Sequence, residues 1–345
     1  MHNFPSALHA IPFFQQTLAV FKPQQQLSNT VLWAYQTAAE QLGVNHKKDA
    51  LGHHFFLGST HIGSMQRTKT DLNSKQAIRI CNDKALTKRY LLNAGVSVAV
   101  DQLITVAEQQ QALSFAVKYG FQIVVKPLDA RAGEGITSDL ANADQLAAAI
   151  AHAAQSNRRA TQVLLEQKLT GFDLRFIIVD GKFVCAASRI PAHVTGDGQH
   201  SLIQLLQRKN QERRKNPHHK RYLLAESLIA ARGLNPQETP ANGEILLLAG
   251  PANVHLGGET FDVTDLIGDE LKALAIQAAA SIPGLKFAGV DIFSTSLTDP
   301  KHAAVLEINT QPNIGIHAFP IRGKSRNVAY HVIQCWLANA ALKNS

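Results

Sequence analysis

Apolar positions interrupted by isolated polar ones predict a β-hairpin between residues 288 and 309. Ala288–Phe293 and Ala303–Asn309 are apolar apart from one or two acidic or amide side chains each. The polar connection between them contains Asp299-Pro300, which is typical of a hairpin loop. This stretch therefore predicts two neighbouring strands of one antiparallel sheet.

The polar residues of this hairpin suggest a metal site. Asp291 lies in the first strand, and Glu307 and Asn309 lie in the second, two positions apart and so on one face. A carboxylate in a buried strand is costly unless it is paired. Oxygen ligands that converge on one side of a hairpin suit Mg²⁺ shared with nucleotide phosphates. The alternative is a hairpin whose polar residues face solvent.

A second candidate site follows the predicted strand Phe121–Pro127. This strand ends in Lys126 and continues into a glycine-containing loop at residues 128–136. Glycines let backbone N–H groups approach an anion closely, so the loop is a candidate phosphate cradle. It lacks the Gly-Lys-Ser/Thr ending of a P-loop and does not fit the dinucleotide fingerprint. A plain hairpin turn is the alternative.

The rest of the pattern alternates helices with short strands. The residue spacing predicts one helix over Ser74–Ala94, which Gly95 stops. We predict further helices over Asn142–Asn157, Ser201–Arg208, Thr264–Ala280 and Asn327–Leu337, and further strands over Gln162–Glu166, Phe172–Val179, Lys182–Ile190 and Glu244–Leu248.

The composition fits a large globular protein. Apolar residues make up 45% of the 345 residues and charged residues 17%, which allows a large core in two or three subdomains. No apolar run approaches the roughly 18 residues that a membrane span requires, and the N-terminus makes a poor signal peptide. The three scattered cysteines favour a reducing compartment. We therefore expect a cytoplasmic protein without a membrane segment.

The net charge of +8 would attract anions, and much of the excess lies in Arg208–Arg221. We predict a solvated loop there, with an anion-binding loop as the alternative. Nucleic-acid binding is disfavoured because this window has almost no aromatic residues and no recognisable module. His53, His54 and His61 lack matching ligand spacing and are expected to be solvated or packed.

Taken in order, these motifs resemble a known family, the ATP-grasp carboxylate–amine ligases. The similarity spans roughly residues 60 to 337 and is greatest to the cyanophycin synthetase and bifunctional glutathione synthetase branches. The motifs that carry it are Asn82–Lys88, Val124–Pro127, Gly133-Glu134-Gly135, Leu165-Glu166 through Asp173, Arg189–Gly198, Asp291, Glu307–Asn309 and Gly315–Pro320.

The resemblance implies an α+β class and the ATP-grasp fold, with a nucleotide held between two antiparallel-sheet lobes and a small N-terminal subdomain. We expect the N-terminal subdomain at residues 1–75, a small lobe with the lysine helix and glycine loop at 76–160, and a C-terminal lobe at 161–345. These lengths leave room for a stand-alone ligase domain only.

The resemblance also implies a role for each candidate residue. Lys84 and Lys126 would neutralise the phosphates of ATP, and Arg189 and Arg175 would be catalytic. For His193 and His317, substrate contact and a buried, satisfied histidine are left as alternatives. The metal ligands to Mg²⁺, with Mn²⁺ as a substitute, would be Asp291, Glu307 and Asn309. The remaining ATP-binding residues would be Arg131, Gly133, Glu134 and Gly135 in the loop, Glu166, Gln167 and Leu169 at the adenine, and Asp173 at the ribose.

The implied reaction joins an acid to an amine through an acyl phosphate, with amino acids or short peptides as substrates. No nucleic acid or membrane partner is expected, and a homodimer is left open. The chain departs from the family pattern at Asp129–Gly133 and Ala252–Gly258. Because both segments differ, the substrates cannot be carried over by name. A non-catalytic ATP-binding protein and a nucleic-acid binder are the rival interpretations.

Overall fold

The computed structural model describes residues 17–19, 21, 27, 29–128, 134–138, 140–157, 161–169, 171–250 and 252–344. The chain divides into two compact units, one formed by residues 97–171 and the other mainly by residues 4–96 and 172–345. Among the described residues, no helix combines the length and apolar character needed to cross a membrane. The predicted subdomain boundaries at residues 75 and 160 stay a prediction.

The described helices, in chain order, are α1 Thr30–Gln41, α2 Lys75–Asn82, α3 Lys84–Asn93, α4 Gln109–Lys118, α5 Ala143–Ser156, α6 Leu202–Lys215, α7 Ser227–Ala231, α8 Asp269–Ala280, α9 Gly315–Ala318 and α10 Val328–Asn344. The strands are β1 Asn45–Lys48, β2 His53–Leu57, β3 Thr60–Gln66, β4 Lys69–Thr70, β5 Asp101–Thr105, β6 Ile123–Pro127, β7 Gln162–Gln167, β8 Phe172–Val179, β9 Lys182–Ile190, β10 His193–Thr195, β11 Ile245–Leu247, β12 Glu259–Asp262, β13 Phe287–Ser294 and β14 Ala304–Asn309. These strands pair in antiparallel fashion, which confirms the predicted α+β class.

The smaller unit is a three-stranded sheet in the order β5-β7-β6, with α4 and α5 on one face. Alternate residues of the strands, such as Ile104, Val125 and Val163, join Phe115 and Ile150 of the helices in one core. The intervening positions point to the opposite face, because side chains alternate along a strand. Lys126 and Glu166 lie at such positions.

The larger unit is built on a five-stranded sheet in the order β12-β9-β8-β13-β14. The predicted hairpin is confirmed: β13 pairs with β14, and Asp291 lies directly opposite Glu307. On its other side β13 pairs with β8, which places Asp291 opposite Arg175. The apolar residues that alternate with these polar positions are buried, and they fix the register because a shift by one residue would reverse both faces.

A separate four-stranded sheet, β1-β2-β3-β4, packs against α1 and α10. The side chain of Trp336 lies directly on Gly63, where an added Cβ would come within 2.2 Å of the indole ring. Only glycine fits this close approach between strand and helix. Tyr35 and Phe55 complete an aromatic cluster with ring centroids 5.1 to 5.9 Å apart.

Three secondary-structure predictions were wrong. The helix expected over Thr264–Ala280 begins only at Asp269, after a short 3-10 turn at Thr264–Leu266 and the extended residue Gly268. The single helix expected over Ser74–Ala94 is divided at Asp83, whose extended backbone ends α2 and whose side chain accepts a hydrogen bond from the Leu86 N–H to cap α3. The basic segment Arg208–Arg221 is not a solvated loop. Helix α6 continues through it to Lys215, and Arg213 is fully buried. The helix continues because its buried positions recur at helical spacing beyond the last apolar residue, Leu206, and are taken there by the polar residues Asn210 and Arg213.

Candidate active site

A cluster of charged residues lies on one face of the five-stranded sheet. Strands β8 and β13 place Arg175 opposite Asp291, and strands β8 and β9 place Asp173 opposite Arg189. Glu307 follows on the far side of Asp291. The sheet therefore brings together two arginines and three carboxylates from four adjacent strands.

Asp291 is held by both arginines. Arg175 donates from Nε to Oδ1 and from Nη2 to Oδ2 of Asp291, each at 2.6 Å. Arg189 Nη2 lies 3.0 Å from the same Oδ2. Paired hydrogen bonds between guanidinium and carboxylate fix orientation as well as charge. Burial alone would raise the pKa of Asp291, but the neighbouring Arg175 and Arg189 lower it to about 2.

Arg189 also binds Asp173, the residue predicted at the ribose. Its Nε and Nη2 donate to Asp173 Oδ1 at 3.0 and 2.5 Å. Asp173 and Asp291 therefore raise the pKa of the Arg189 guanidinium further above its ordinary value, against the effect of burial. Arg189 thus connects the predicted ribose carboxylate to the predicted metal carboxylate.

Glu307 and Asn309 complete the predicted metal set. Asn309 Nδ2 donates to Glu307 Oε1 at 2.9 Å. The Glu307 side chain is 44% exposed, whereas that of Asp291 is 2% exposed. Glu307 is therefore the carboxylate that solvent and ions reach most easily.

These three residues fit Mg²⁺ by the chemistry of their donors. Oxygen atoms are the ligands that Mg²⁺ prefers, and it commonly takes only one or two carboxylates and completes its shell with water and phosphate. Within the part of the chain that the structure describes, no group of three or more His, Cys, Asp or Glu side chains is arranged to hold a metal ion by itself. The set is thus suited to an ion that arrives with phosphate ligands.

The smaller unit holds another pair of predicted residues. Lys126 Nζ and Glu166 Oε1 form an ion pair across strands β6 and β7. Gln167 and Leu169, predicted near the adenine, follow on the same chain segment and are half-buried.

The glycine loop is only partly described. Glu134 is exposed, and Gly135 is buried with φ +70°, where an added Cβ would come within 2.4 Å of Ser156. Antiparallel backbone hydrogen bonds between Val125 and Thr137 close its base. Arg131 and Gly133 lie outside the described residues. The loop thus has a fixed base, and Gly135 serves close packing there.

The three remaining candidates lie elsewhere in the larger unit. Lys84 is exposed at the start of α3.

His193 Nδ1 lies 2.8 Å from the Pro191 carbonyl oxygen, and burial together with the charge of Lys209 lowers the pKa of His193 to about 4. His317 Nδ1 lies 3.4 Å from Cys185 Sγ, and burial with the charge of Arg175 lowers its pKa to about 3. Both imidazoles are therefore neutral at pH 7, and their substrate role stays a prediction.

The sequence analysis missed a buried ionic cluster around Glu259. Arg213 Nη1 lies 3.3 Å from Glu259 Oε1, and Lys209 Nζ lies 3.2 Å from Oε2. Lys209 and Arg213 are four residues apart on α6, which puts them on one face of the helix. The four-residue spacing of Lys209 and Arg213 could have indicated that both face one carboxylate. The predicted helix ended at Arg208, so this spacing was not recognised.

The chain is similar to known ATP-grasp proteins over parts of their sequences. The model of the prokaryotic glutathione synthetase ATP-grasp domain matches residues 91–203. A cyanophycin synthetase from Trichormus variabilis is 33% identical over 309 residues, which is 86% of this chain and 32% of that protein. The glutathione biosynthesis bifunctional protein GshAB from Enterococcus faecalis is 30% identical over 271 residues, 74% of this chain and 35% of that protein. The chain spans about a third of the length of the curated relatives it matches.

The fold itself is shared with a solved structure. A bifunctional glutathione synthetase from Pasteurella multocida superposes with a TM-score of 0.67 over 91% of this chain and 44% of that one, at 23% sequence identity. This likeness confirms the fold expected from the sequence motifs.

Proposed function

We propose that the chain is an ATP-dependent ligase that joins a carboxylate to an amine, which its similarity to cyanophycin synthetases and to glutathione synthetases supports. The observation that carries this proposal is the sheet face on which Asp291, Glu307 and Asn309 lie beside Arg175 and Arg189. That face offers oxygen ligands for a cation and permanent positive charge for transferred phosphate. The substrates are an amino acid or a short peptide and an amine.

The reaction needs no side-chain nucleophile. A carboxylate oxygen of the acid attacks the γ-phosphorus of ATP, the bond to the β-phosphate oxygen breaks, and ADP and an acyl phosphate result. The amine attacks the acyl carbon, inorganic phosphate leaves, and the amine nitrogen loses a proton to give the amide. Such chemistry depends chiefly on positioning and charge neutralisation.

The residues of the site have distinct tasks in this mechanism. Asp291, Glu307 and Asn309 would hold Mg²⁺, which supplies charge neutralisation at the phosphates when it is bound. Arg189, a permanent and planar cation, stabilises charge on the transferring phosphoryl group and keeps Asp173 and Asp291 in register. The role proposed for Lys126 is to neutralise phosphate charge.

The proposal is tested by phosphate release from Mg·ATP in the presence of pooled amino acids and dipeptides. We expect release to require both an acid and an amine and to be lost in the Glu307→Gln variant. Glu270→Gln, an exposed position in the first turn of α8, is the matched control and should behave like the parent. Mass spectrometry of the product then identifies the two substrates.

The possible results separate the two leading interpretations. Binding of Mg·ATP without release in any pool would contradict a ligase for these substrate classes and favour an ATP-binding protein without catalysis. Release that persists in Glu307→Gln would contradict the assigned site.

Arg189→Lys should lower the rate of phosphate release by roughly a hundredfold to a thousandfold, in line with the loss of one stabilising donor. Lysine keeps the charge but places its three donors on one ammonium group at the end of a flexible stem, so it cannot reproduce the planar, fixed geometry with which the guanidinium bonds Asp173 and Asp291 together. Steady-state kinetics and a thermal unfolding curve check this. Arg232→Lys, at an exposed position after α7, is the control. An unchanged rate would show that a point charge suffices.

A further inference from the structure

Two consecutive residues at the end of α5, Ser156 and Asn157, contact both ends of the glycine loop. The side chain of Asn157 accepts a hydrogen bond at 2.8 Å from the N–H group of Leu128, where the loop begins. Gly135, near the end of the loop, packs so closely on Ser156 that an added Cβ would come within 2.4 Å of the serine Cβ atom. The end of one helix therefore supports the chain both where it enters the loop and where it leaves.

Asn157 also connects strands β6 and β7 at the point where they separate. Pro127 and Val163 form the last pair of this ladder, and the same register would set Leu128 opposite Gln162. The Asn157 amide lies between these two residues instead, because its Nδ2 donates to the Gln162 carbonyl oxygen, also at 2.8 Å. A side-chain amide offers the same acceptor and donor as a peptide group. Asn157 thus replaces one rung of the ladder and joins the start of the loop to the central strand of the sheet.

The position of Asn157 is fixed by the helix that carries it. Asn157 ends α5 with an extended backbone, and its N–H group still donates to the Ala153 carbonyl oxygen at 3.2 Å. Leu146, Ile150 and Ala153 of the same helix are buried in the core of the smaller unit. A packed helix holds a side chain in a better-defined position than a loop does. The amide is therefore a firm support for the residue that begins the glycine loop.

We propose that Asn157 is a positioning residue for the glycine loop, which fixes the start of the loop relative to β7 without contacting the nucleotide. An end that is ordered before ATP binds leaves less conformational freedom to be lost when phosphate arrives. Asparagine suits this task because the N–H group of Leu128 needs an acceptor and the carbonyl group of Gln162 needs a donor. The inference rests on the proposed function, because it takes the glycine loop to bind the phosphates of ATP, as the sequence predicts.

Two probes separate an effect on the loop from an effect elsewhere in the protein. The first is the non-hydrolysable analogue Mg·AMPPNP, whose dissociation constant is measured by calorimetry. The second is adenosine, which lacks phosphates and whose affinity is measured by competition with Mg·AMPPNP. We expect Asn157→Ala to weaken binding of Mg·AMPPNP by about tenfold, in line with the cost of ordering one side chain at a binding site. Adenosine should bind this variant as it binds the parent, because it presents no phosphate to the loop.

Asn142→Ala is the matched control for destabilisation of α5. Asn142 lies at the opposite end of this helix, where its side chain accepts a hydrogen bond from the Gln145 N–H group at 3.0 Å. Loss of such a cap destabilises a helix, but it leaves the contacts of Asn157 in place. The control should therefore lower the temperature of thermal unfolding and leave the affinity for Mg·AMPPNP at the parent value.

Asn157→Asp is a milder change at the same position. Aspartate keeps the shape of the side chain and the acceptor for Leu128, but its carboxylate cannot donate to Gln162. The connection between the strands is then broken on one side only. We expect an intermediate loss of affinity for Mg·AMPPNP and unchanged binding of adenosine.

Each remaining outcome contradicts a different statement. If Asn142→Ala weakened Mg·AMPPNP binding as much as Asn157→Ala, the stability of α5 and not the amide would be responsible, and the inference would be overturned. Equal losses for Mg·AMPPNP and adenosine, or no loss for either, would also overturn it while leaving the proposed function intact. Failure of the parent protein to bind Mg·AMPPNP would instead contradict the proposed function, and the inference would fall with it.

Discussion

Asp291→Asn should reduce acid- and amine-dependent phosphate release by about a thousandfold or more, the scale seen when a preorganised charge is removed from an active site. Asparagine has nearly the same shape but no negative charge. Its amide N–H group would also face the Arg175 and Arg189 guanidiniums, which can only donate. The variant therefore loses the negative charge of one ligand for the cation and of the partner that both arginines share.

The measurement is phosphate release at saturating Mg·ATP, together with an unfolding curve to show that the variant is folded. Asp299→Asn is the control, because Asp299 is an exposed residue in the loop of the same hairpin. It should keep nearly full activity. If folded Asp291→Asn retained more than about a tenth of the parent activity, the assignment of this sheet face as the active site would be wrong, since charge at such sites contributes far more than tenfold.

The hairpin that bears Asp291 and Glu307 could be predicted because its signal is local. Each strand alternates buried apolar residues with isolated polar ones, and period-two alternation decides which residues share a face. The pairing of Asp291 with Glu307 followed from the same short stretch. For this reason the larger part of the candidate site was found from sequence.

The partners of these residues could not be predicted in the same way. Arg175 lies 116 residues before Asp291, and Lys126 lies 40 residues before Glu166. No local pattern encodes which cation each carboxylate meets, because that depends on strand order in the finished sheet. The sequence therefore predicted candidate residues for the site but not the ion pairs among them.

The prediction of a solvated loop at Arg208–Arg221 was wrong for a different reason. Its many charged residues suggested solvent exposure, whereas Arg213 is fully buried against a partner 46 residues away in the chain. A charged residue can be buried when every donor finds an acceptor, and composition gives no sign of that. The buried arginine has a measurable consequence for stability.

Arg213→Met should lower the free energy of unfolding by about 3–5 kcal/mol, the usual cost of removing one partner from a buried ion pair. Arg213 donates from Nε to the Tyr222 carbonyl oxygen at 2.9 Å, from Nη1 to that of Gly257 at 3.0 Å, and also to Glu259. Methionine fills much of the volume but leaves these buried acceptors without their donor.

Urea unfolding of the parent and of Arg213→Met gives this difference. The neighbouring Arg214 is exposed on the same helix, so Arg214→Met is the matched control and should change stability by less than about 0.5 kcal/mol. A loss below about 1 kcal/mol for Arg213→Met would show that the cluster tolerates removal of its arginine, unlike typical buried pairs.

The pH dependence of the difference in unfolding free energy between the parent and Arg213→Met shows which interaction causes that difference. Burial would raise the pKa of Glu259, but the charges of Lys209 and Arg213 hold it at about 2, below the ordinary 4.5. A carboxylate whose pKa is depressed in the folded state stabilises the fold above its unfolded pKa and loses that contribution as pH falls toward the folded value. The stability difference between parent and Arg213→Met should therefore be full at neutral pH and shrink below pH 4.5. A difference that did not change with pH would assign the loss to the backbone acceptors and not to the charge of Glu259.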